Sequence, residues 1–102
     1  MDLSKFIRQR LKIRHLNVLV VLDDTLSVSR AAERLNVTQA AVSRTLAEAE
    51  AGFGMPLFER HARGLRRIAT GRETLIAVRQ ILTDITALEV IASQQRDVTR
   101  GE

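Results

Sequence analysis

The chain has 102 residues, of which 45% are hydrophobic and 27% are charged, and its formal net charge is +4. This length and composition predict one small soluble domain with a modest core, and they argue against a disordered chain. The sequence contains no cysteine, which excludes disulfides and thiolate metal sites. It shows neither a signal peptide nor an apolar run long enough to span a membrane, so we expect a cytoplasmic protein.

The positive charge is concentrated in two segments. Residues 1–15 carry five basic side chains and one acidic side chain, and residues 59–79 carry six basic and two acidic ones. Residues 16–44 are balanced, whereas residues 45–58 and 80–102 each carry an excess of two acidic side chains. All but two of the 16 basic residues are arginine, whose planar guanidinium suits phosphates and the edge of guanine. This pattern predicts contact with a polyanion, although solvated surface charge is the simpler alternative.

Three helices are predicted in the first half of the chain. The first covers about residues 14–24, and the second covers residues 28–35 after Ser27, which is a good N-cap residue. A tight turn follows, and Thr38 caps a third helix that ends near residue 51. Two short helices joined by a tight turn, with small alanines where they cross, are typical of a helix-turn-helix.

One face of the third helix carries only short or hydrogen-bonding side chains. At 100° per residue this face lies opposite an apolar one, and it contains no acidic side chain. An ordinary solvated face, which is the alternative, would normally contain Glu and Lys. Gln and Arg near the start of such a helix can bond adenine or guanine edges in the major groove of DNA. The residues of this face are Gln39, Ala40, Ser43, Arg44 and Ala47.

Glycines cluster between residues 52 and 71, and the only proline is Pro56. Two short runs with apolar residues, 57–60 and 65–68, flank a turn that contains Arg63 and a glycine. This arrangement predicts a small β-hairpin whose tip is strongly basic. Such a hairpin would suit a wing that touches the DNA backbone.

A long final helix is predicted from about residue 71 to residue 95, with Thr70 as its cap. Apolar residues repeat along it at spacings of three and four. Because the rest of the domain is too small to cover this stripe, we expect it to pair with the same helix of a second chain. The alternative is that the helix folds back onto its own domain. The predicted dimer interface consists of Leu75, Val78, Ile81, Leu82, Ile85, Leu88 and Ala92.

Several spaced motifs resemble the N-terminal domain of LysR-type transcriptional regulators. Residues 27–44 read SVSRAAERLNVTQAAVSR, and residues 54–60 read GMPLFER. The resemblance covers about residues 13–95. Ala40 stands where family members often have Pro or Ser, which removes a possible base contact.

The resemblance implies a mainly α-helical fold, a winged helix-turn-helix followed by a long linker helix through which two chains pair antiparallel. The domains would be a basic N-terminal extension at 1–12, the winged helix-turn-helix at 13–69, the linker helix at 70–97 and a tail at 98–102. The implied partners are double-stranded DNA and a second copy of the chain. The residues predicted to contact DNA are Ser27, Ser29, Arg30, Thr38, Gln39, Ala40, Ser43, Arg44, Arg60, Arg63 and Arg66.

Complete members of the family usually form tetramers and carry a C-terminal effector domain. Since no such domain is present, we expect this chain to be part of a longer protein and to bind no cofactor itself. A small-molecule effector would bind the missing domain.

Three other classes of function fit the sequence less well. A winged helix that binds proteins would carry an apolar or acidic face on its third helix, and Gln39, Ser43 and Arg44 argue against that. A non-specific, nucleoid-type DNA binder would be richer in lysine. An enzyme is disfavoured because His15 and His61 are the only histidines and no phosphate-binding loop or metal-ligand spacing is present.

Overall fold

The computed structural model describes residues 2–100. The predicted order of three helices, a hairpin and a long helix is confirmed. The described elements are α1 (Ile13–Thr25), α2 (Val28–Leu35), α3 (Gln39–Phe53), β1 (Phe58–His61), β2 (Gly64–Arg67) and α4 (Arg72–Arg100).

Helices α2 and α3 begin at the caps that the sequence predicted. The Ser27 hydroxyl accepts a hydrogen bond from the backbone N–H of Arg30 at 3.1 Å, and the Thr38 hydroxyl accepts one from that of Ala41 at 3.0 Å. Asn36, which ends α2, has a φ of 57°. Asn tolerates this left-handed conformation better than most residues, so it fixes the tight turn between the two helices.

The core is centred on α1, which packs against α2, α3 and α4. Leu19 and Leu22 of α1 are fully buried, and so is Val42 of α3. Ala31 of α2 is also fully buried, which confirms the small residue predicted where the helices cross. Burial of a Leu side chain contributes about 1.5–3 kcal/mol to the free energy of folding. These few residues therefore provide much of the domain's stability.

The hairpin is antiparallel and is attached to α1 through its second strand. Strand β2 pairs with β1 so that Leu65 lies opposite Arg60. The backbone N–H of Leu65 donates to the carbonyl oxygen of Leu26, just after α1, at 2.9 Å. A Cβ on Gly64 would lie 2.5 Å from that same oxygen, and Gly64 has a φ of 132°. Only glycine therefore allows the hairpin to approach α1 this closely.

The position of the start of α4 shows that the predicted dimer interface is partly wrong. Leu75 and Val78 are buried in the core of their own domain, because the first turns of α4 pack across α1. These two residues are unavailable to a partner, so the prediction is wrong for them. Leu82 and Ile85 are half-buried against the same core, whereas Ile81, Leu88 and Ala92 remain exposed.

Both ends of α4 differ from the prediction. Thr70, predicted as the cap, lies instead inside a 3-10 turn at Ala69–Gly71 that leads into the helix. The helix continues to Arg100, past its predicted end near residue 95 and past the predicted bound of the linker helix at residue 97. Part of the predicted tail is therefore helical, and residues 101–102 lie outside the described residues.

The basic N-terminal extension packs onto the domain. It forms a short α-helical turn, Leu3–Lys5, followed by a π-helical turn, Phe6–Arg10. The ring of Phe6 is buried and meets the ring of Phe53 edge-on, with 5.3 Å between the ring centroids. A Cβ on Gly52 would lie 2.1 Å from the Phe6 ring, so the glycine creates the space that the ring fills.

Candidate nucleic-acid interface

The start of α3 presents the side chains that the sequence predicted for base contacts. Gln39, Ala40 and Arg44 are exposed, and Ser43 is half-buried. The first turn of α3 contains no acidic residue. The helix dipole and the unpaired N–H groups of a first turn favour a negative group such as a phosphate. This end of the helix is therefore suited both to hydrogen bonding with bases and to contact with the DNA backbone.

The hairpin lies next to this face of α3. A guanidinium N–H of Arg60, on β1, donates to the hydroxyl of Ser43 at 3.2 Å. The carboxylate of Glu50, near the end of α3, accepts from the backbone N–H groups of Leu57 and Phe58 at 2.6 and 3.2 Å. We call the face of α3 that carries Gln39, Ser43 and Arg44 the recognition face, and the β1–β2 hairpin the wing. The sequence predicted the two separately, and in the structure they form one continuous surface.

The tip of the hairpin carries an exposed arginine. Arg63 lies in the turn between the two strands. The ring of His61 accepts from the Arg63 backbone N–H at 3.2 Å, and its other nitrogen lies 3.2 Å from the carbonyl oxygen of Leu65. An imidazole with its proton on Nε2 satisfies both contacts, so His61 shapes the turn that presents Arg63.

Arg66 differs from Arg60 and Arg63, the other two hairpin arginines predicted to contact DNA. Its Nε donates to the carboxylate of Glu59, directly across the hairpin, at 2.7 Å. Both side chains are half or more exposed, so the pair contributes little to stability. A phosphate would compete with Glu59 for Arg66, which makes Arg66 the weakest DNA contact expected in the wing.

We expect Arg63→Ala to weaken binding to all DNA sequences alike. Loss of one phosphate contact per subunit should reduce the slope of log affinity against log salt by about one per contact. The measurement is a salt titration of binding by fluorescence anisotropy, with Arg66→Ala as the matched wing control and a smaller expected change. An unchanged affinity and slope in Arg63→Ala would mean that the hairpin tip does not face DNA.

The start of α2 supplies the remaining predicted contacts. Ser27 is occupied as a helix cap, and its hydroxyl also lies 3.3 Å from that of Ser29. Ser29 and Arg30 are exposed, whereas Ser27 is half-buried. Ser29 and Arg30 therefore remain available to a phosphate, while Ser27 acts mainly by holding the helix end.

An ion-pair cluster that the sequence did not predict links three elements. Asp23, nearly buried at the end of α1, accepts hydrogen bonds from the guanidinium groups of Arg67 on β2 and Arg79 on α4. Arg79 also donates to Asp24 at 2.5 Å. Burial alone would raise the pKa of Asp23, but the hydrogen bonds and charges of Arg67 and Arg79 outweigh it and hold that pKa below its usual value. Asp23 thus fixes the wing and α4 against α1.

Metal sites and membrane spans were both sought among the described residues. Between residues 2 and 100, no three His, Cys, Asp or Glu side chains come together as a metal site would require. No helix in that range combines the length and apolarity needed to cross a membrane.

Sequence comparison finds regulators. Residues 13–72 match the family described as bacterial regulatory helix-turn-helix protein, lysR family. The chain is 34% identical over 96 residues to the HTH-type transcriptional regulator GbpR of Azospirillum brasilense, with 94% of this chain and 27% of that protein covered. It is 41% identical over 78 residues to the small neutral protease regulatory protein of Streptomyces coelicolor, with 76% and 24% covered. The chain spans about a quarter of the length of these relatives.

Structural comparison finds domains that were crystallised with DNA. The BenM DNA-binding domain in complex with catB site 1 DNA matches with a TM-score of 0.77 and 23% identity, over 82% of this chain and 94% of that one. The CbnR DNA-binding domain in complex with DNA matches with a TM-score of 0.74 and 28% identity, over 83% and 97% of the two chains. At 23% identity, the match to the BenM domain shows that the two chains share a fold.

Proposed function

Because the chain belongs to the lysR family of bacterial regulatory helix-turn-helix proteins and is a DNA-binding domain of that family, we propose that it reads a specific double-stranded DNA sequence as a homodimer. The observation that carries the proposal is the surface formed by the start of α3 and the wing, joined by the Arg60–Ser43 hydrogen bond. The α3 part of this surface offers hydrogen-bonding side chains and no acidic ones.

The proposed roles follow from position. Gln39, in the first turn, reaches an adenine edge, and Ala40 leaves room for a thymine methyl group. Arg44, one turn further, contacts a guanine or a neighbouring phosphate. Arg60 and Arg63 of the wing contact the backbone or the minor groove beside it.

The homodimer is supported by those residues of the predicted interface that α4 leaves exposed, namely Ile81, Leu88 and Ala92. A two-fold dimer presents two recognition helices and therefore requires an interrupted palindrome, with half-sites about one DNA turn apart. The proposal includes no cofactor within this chain and no enzymatic activity. It places a small-molecule effector and further assembly to a tetramer in a longer protein that acts in the cytoplasm.

The recognition face is tested by Gln39→Ala. Loss of a bidentate contact to adenine should weaken binding to the specific duplex by about 1–3 kcal/mol and should change binding to random DNA much less. The specific duplex is first selected from a random library, and both affinities are then measured at one salt concentration. Gln9→Ala, which removes an exposed glutamine from the N-terminal segment, is the matched control and should change neither affinity.

Equal losses on specific and random duplexes would contradict sequence reading by this face. A non-specific nucleoid-type binder would then be the better account. Arg44→Ala adds a second readout on the same face, because loss of a base contact changes specificity whereas loss of a phosphate contact does not.

A further inference from the structure

A cationic pocket lies between the N-terminal segment (residues 2–12), the start of α1 and the distal part of α3. It encloses about 410 Å³, and three basic side chains and one acidic side chain are among the residues that line it. The three cations are Arg10, Lys12 and Arg14, and all of them are exposed. The acidic side chain is Glu48. Three positive charges around one concave surface create a field that attracts an anion.

The three cations of the pocket differ from the arginines that stabilise the fold. Within residues 2–100, which the structure describes, none of the three forms an ion pair with a carboxylate, whereas Arg67 and Arg79 each pair with an aspartate of α1. In the same range Arg44, Arg60 and Arg63, to which we assign DNA contacts, also lack such a partner. The charges of the pocket therefore remain available to an external anion, as those of the DNA-facing arginines do.

The pocket is attached to α3 by two sets of contacts. The Phe6 ring fills the space above Gly52, and the backbone N–H of Lys12 donates to Nδ1 of His15 at 2.8 Å. Because Nδ1 of this buried imidazole accepts, its proton is on Nε2, which donates to the carboxylate of Glu48 at 3.2 Å. These contacts hold the cations in place before a ligand binds, which reduces the entropy lost on binding.

The pocket and the wing lie on opposite flanks of α3. The middle of the recognition face is Ala47. At 100° per residue, Ser43 and Glu50, which contact the hairpin region, lie about 40° and 60° to one side of Ala47. Ala51 and Glu48, which line the pocket, lie about 40° and 100° to its other side. A ligand that covers the recognition face can therefore meet the wing on one flank and the pocket on the other.

We propose that this pocket is a second binding site for DNA phosphates, on the flank of α3 opposite the wing. A helix in the major groove has one phosphate backbone on each side, so the wing contacts one backbone and the pocket contacts the other. Glu48 comes only one turn, about 6 Å of helix, after Arg44, which keeps the pocket close to the bases that α3 contacts. The inference rests on the proposed function and deepens it, because none of the predicted DNA contacts lies in the N-terminal segment.

Arg10→Ala tests the site through the salt dependence of binding. On a random-sequence duplex of about 40 base pairs, loss of one phosphate contact should weaken binding about five- to tenfold at roughly 0.1 M salt. The slope of log affinity against log salt should fall by about one for each subunit bound. The matched control is Arg8→Ala, since Arg8 is an exposed arginine of the same segment that does not line the pocket. Its affinity should change less than about twofold. Equal changes in the two variants, or none in Arg10→Ala, would overturn the proposal.

Two conservative variants separate charge from a structural role, with circular dichroism as the check of folding. Arg10→Lys keeps the positive charge and should restore most of the lost slope. Glu48→Gln keeps an oxygen that accepts from His15 but removes the one negative charge of the pocket, so it should tighten DNA binding about two- to threefold. A slope in Arg10→Lys as low as in Arg10→Ala would contradict a phosphate contact. Unchanged or weaker binding by Glu48→Gln would place the phosphates away from the pocket.

Ethylation interference shows which phosphates are contacted. It is performed on the duplex selected for the Gln39→Ala measurement. Phosphates whose ethylation inhibits the wild type but not Arg10→Ala should lie across the major groove from those identified in the same way with Arg63→Ala. If the two sets coincide, or if Arg10→Ala loses no phosphate, the pocket does not contact the second backbone and the proposal is wrong.

Inorganic phosphate distinguishes DNA from a free anion as the ligand. Thermal unfolding of the wild type and of Arg10→Ala is measured with and without inorganic phosphate at constant ionic strength. A phosphate-dependent rise in Tm that Arg10→Ala abolishes, together with unchanged DNA binding by Arg10→Ala, would show that the pocket takes a small anion and would overturn the proposal.

The outcomes separate the inference from the function on which it rests. If Arg10→Ala binds DNA like the wild type while Gln39→Ala weakens binding to the specific duplex alone, the inference fails and the proposed function stands. If Gln39→Ala weakens binding to specific and random duplexes equally while Arg10→Ala lowers the salt slope, sequence reading fails and the phosphate site stands. A wild-type chain that binds neither duplex would contradict both.

Discussion

Replacing Asp23 by Ala is expected to lower the free energy of unfolding by about 2–3 kcal/mol. The Asp23 side chain is only 11% exposed, and its loss removes the carboxylate that Arg67 and Arg79 share. Arg67 then keeps only the backbone carbonyl oxygen of residue 23, and Arg79 keeps only the carboxylate of Asp24. Breaking a fully buried pair costs about 3–5 kcal/mol, but both arginines are about half exposed and can turn to water. The expected loss is therefore below that range.

Asp24→Ala is the matched control for this variant. Asp24 contacts Arg79 at 2.5 Å and Arg34 at 3.7 Å, but it is 41% exposed. Exposed pairs typically contribute 1 kcal/mol or less, so roughly that much is the upper limit for the control. Both variants are compared with the wild type by urea unfolding at one protein concentration, because dimerisation makes apparent stability depend on concentration. Equal losses in the two variants would contradict the central role of Asp23.

The pH dependence gives an independent measurement of the same cluster. The pKa of Asp23 is lower in the folded state than its ordinary value of 3.8. Its contribution to stability is therefore complete above the unfolded pKa and is lost as the pH falls through the folded pKa. The difference in unfolding free energy between the wild type and Asp23→Ala should be constant near neutral pH and should shrink below about pH 4. A difference that grew on acidification would have the wrong sign for this mechanism.

The elements that follow from local sequence rules were predicted well. Ser27 and Thr38 cap their helices because a hydroxyl at the first residue satisfies a free backbone N–H, which needs no information from the rest of the chain. The face that contains Gln39 and Arg44 follows from helical periodicity alone. The helix-turn-helix and its exposed side chains could therefore be found without the structure.

The contacts between distant parts of the chain were not predictable in this way. Asp23 is separated from Arg67 by 44 residues and from Arg79 by 56, so no local pattern pairs them. The only signal was an acidic residue on an otherwise apolar face of α1. Phe6 fills the space above Gly52, and neither residue indicates the other in the sequence.

The stripe on α4 shows what periodicity leaves open. A repeat at spacings of three and four identifies an apolar face, but it does not say what covers that face. The structure divides the stripe, because Leu75 and Val78 are covered by the chain's own core while Ile81 and Leu88 are not. The boundary depends on where α4 leaves the body of the domain, which is a property of the tertiary fold.

Because only part of the stripe is exposed, substitutions in that part are expected to have the second large effect, which is on dimerisation. Ile85→Arg should convert the proposed dimer to a monomer, because an unpaired charge in an apolar seam costs several kcal/mol. Ile85 is also half-buried against its own core, so this variant lowers the stability of the monomer as well. Leu88 is 63% exposed in the single chain, and Leu88→Arg therefore separates dimerisation from folding.

Val90→Arg is the matched control, since Val90 is 51% exposed on the same helix and lies on the face opposite the stripe. Sedimentation should show a monomer for Leu88→Arg and a dimer for Val90→Arg. A monomer no longer reads two half-sites together, so the affinity of Leu88→Arg for the full palindrome should fall about 100-fold, toward that for a single half-site. An intact dimer in Leu88→Arg would move the interface away from this stripe. A monomer that kept full affinity would instead mean that one copy of α3 and its wing accounts for binding, and that the palindrome is unnecessary.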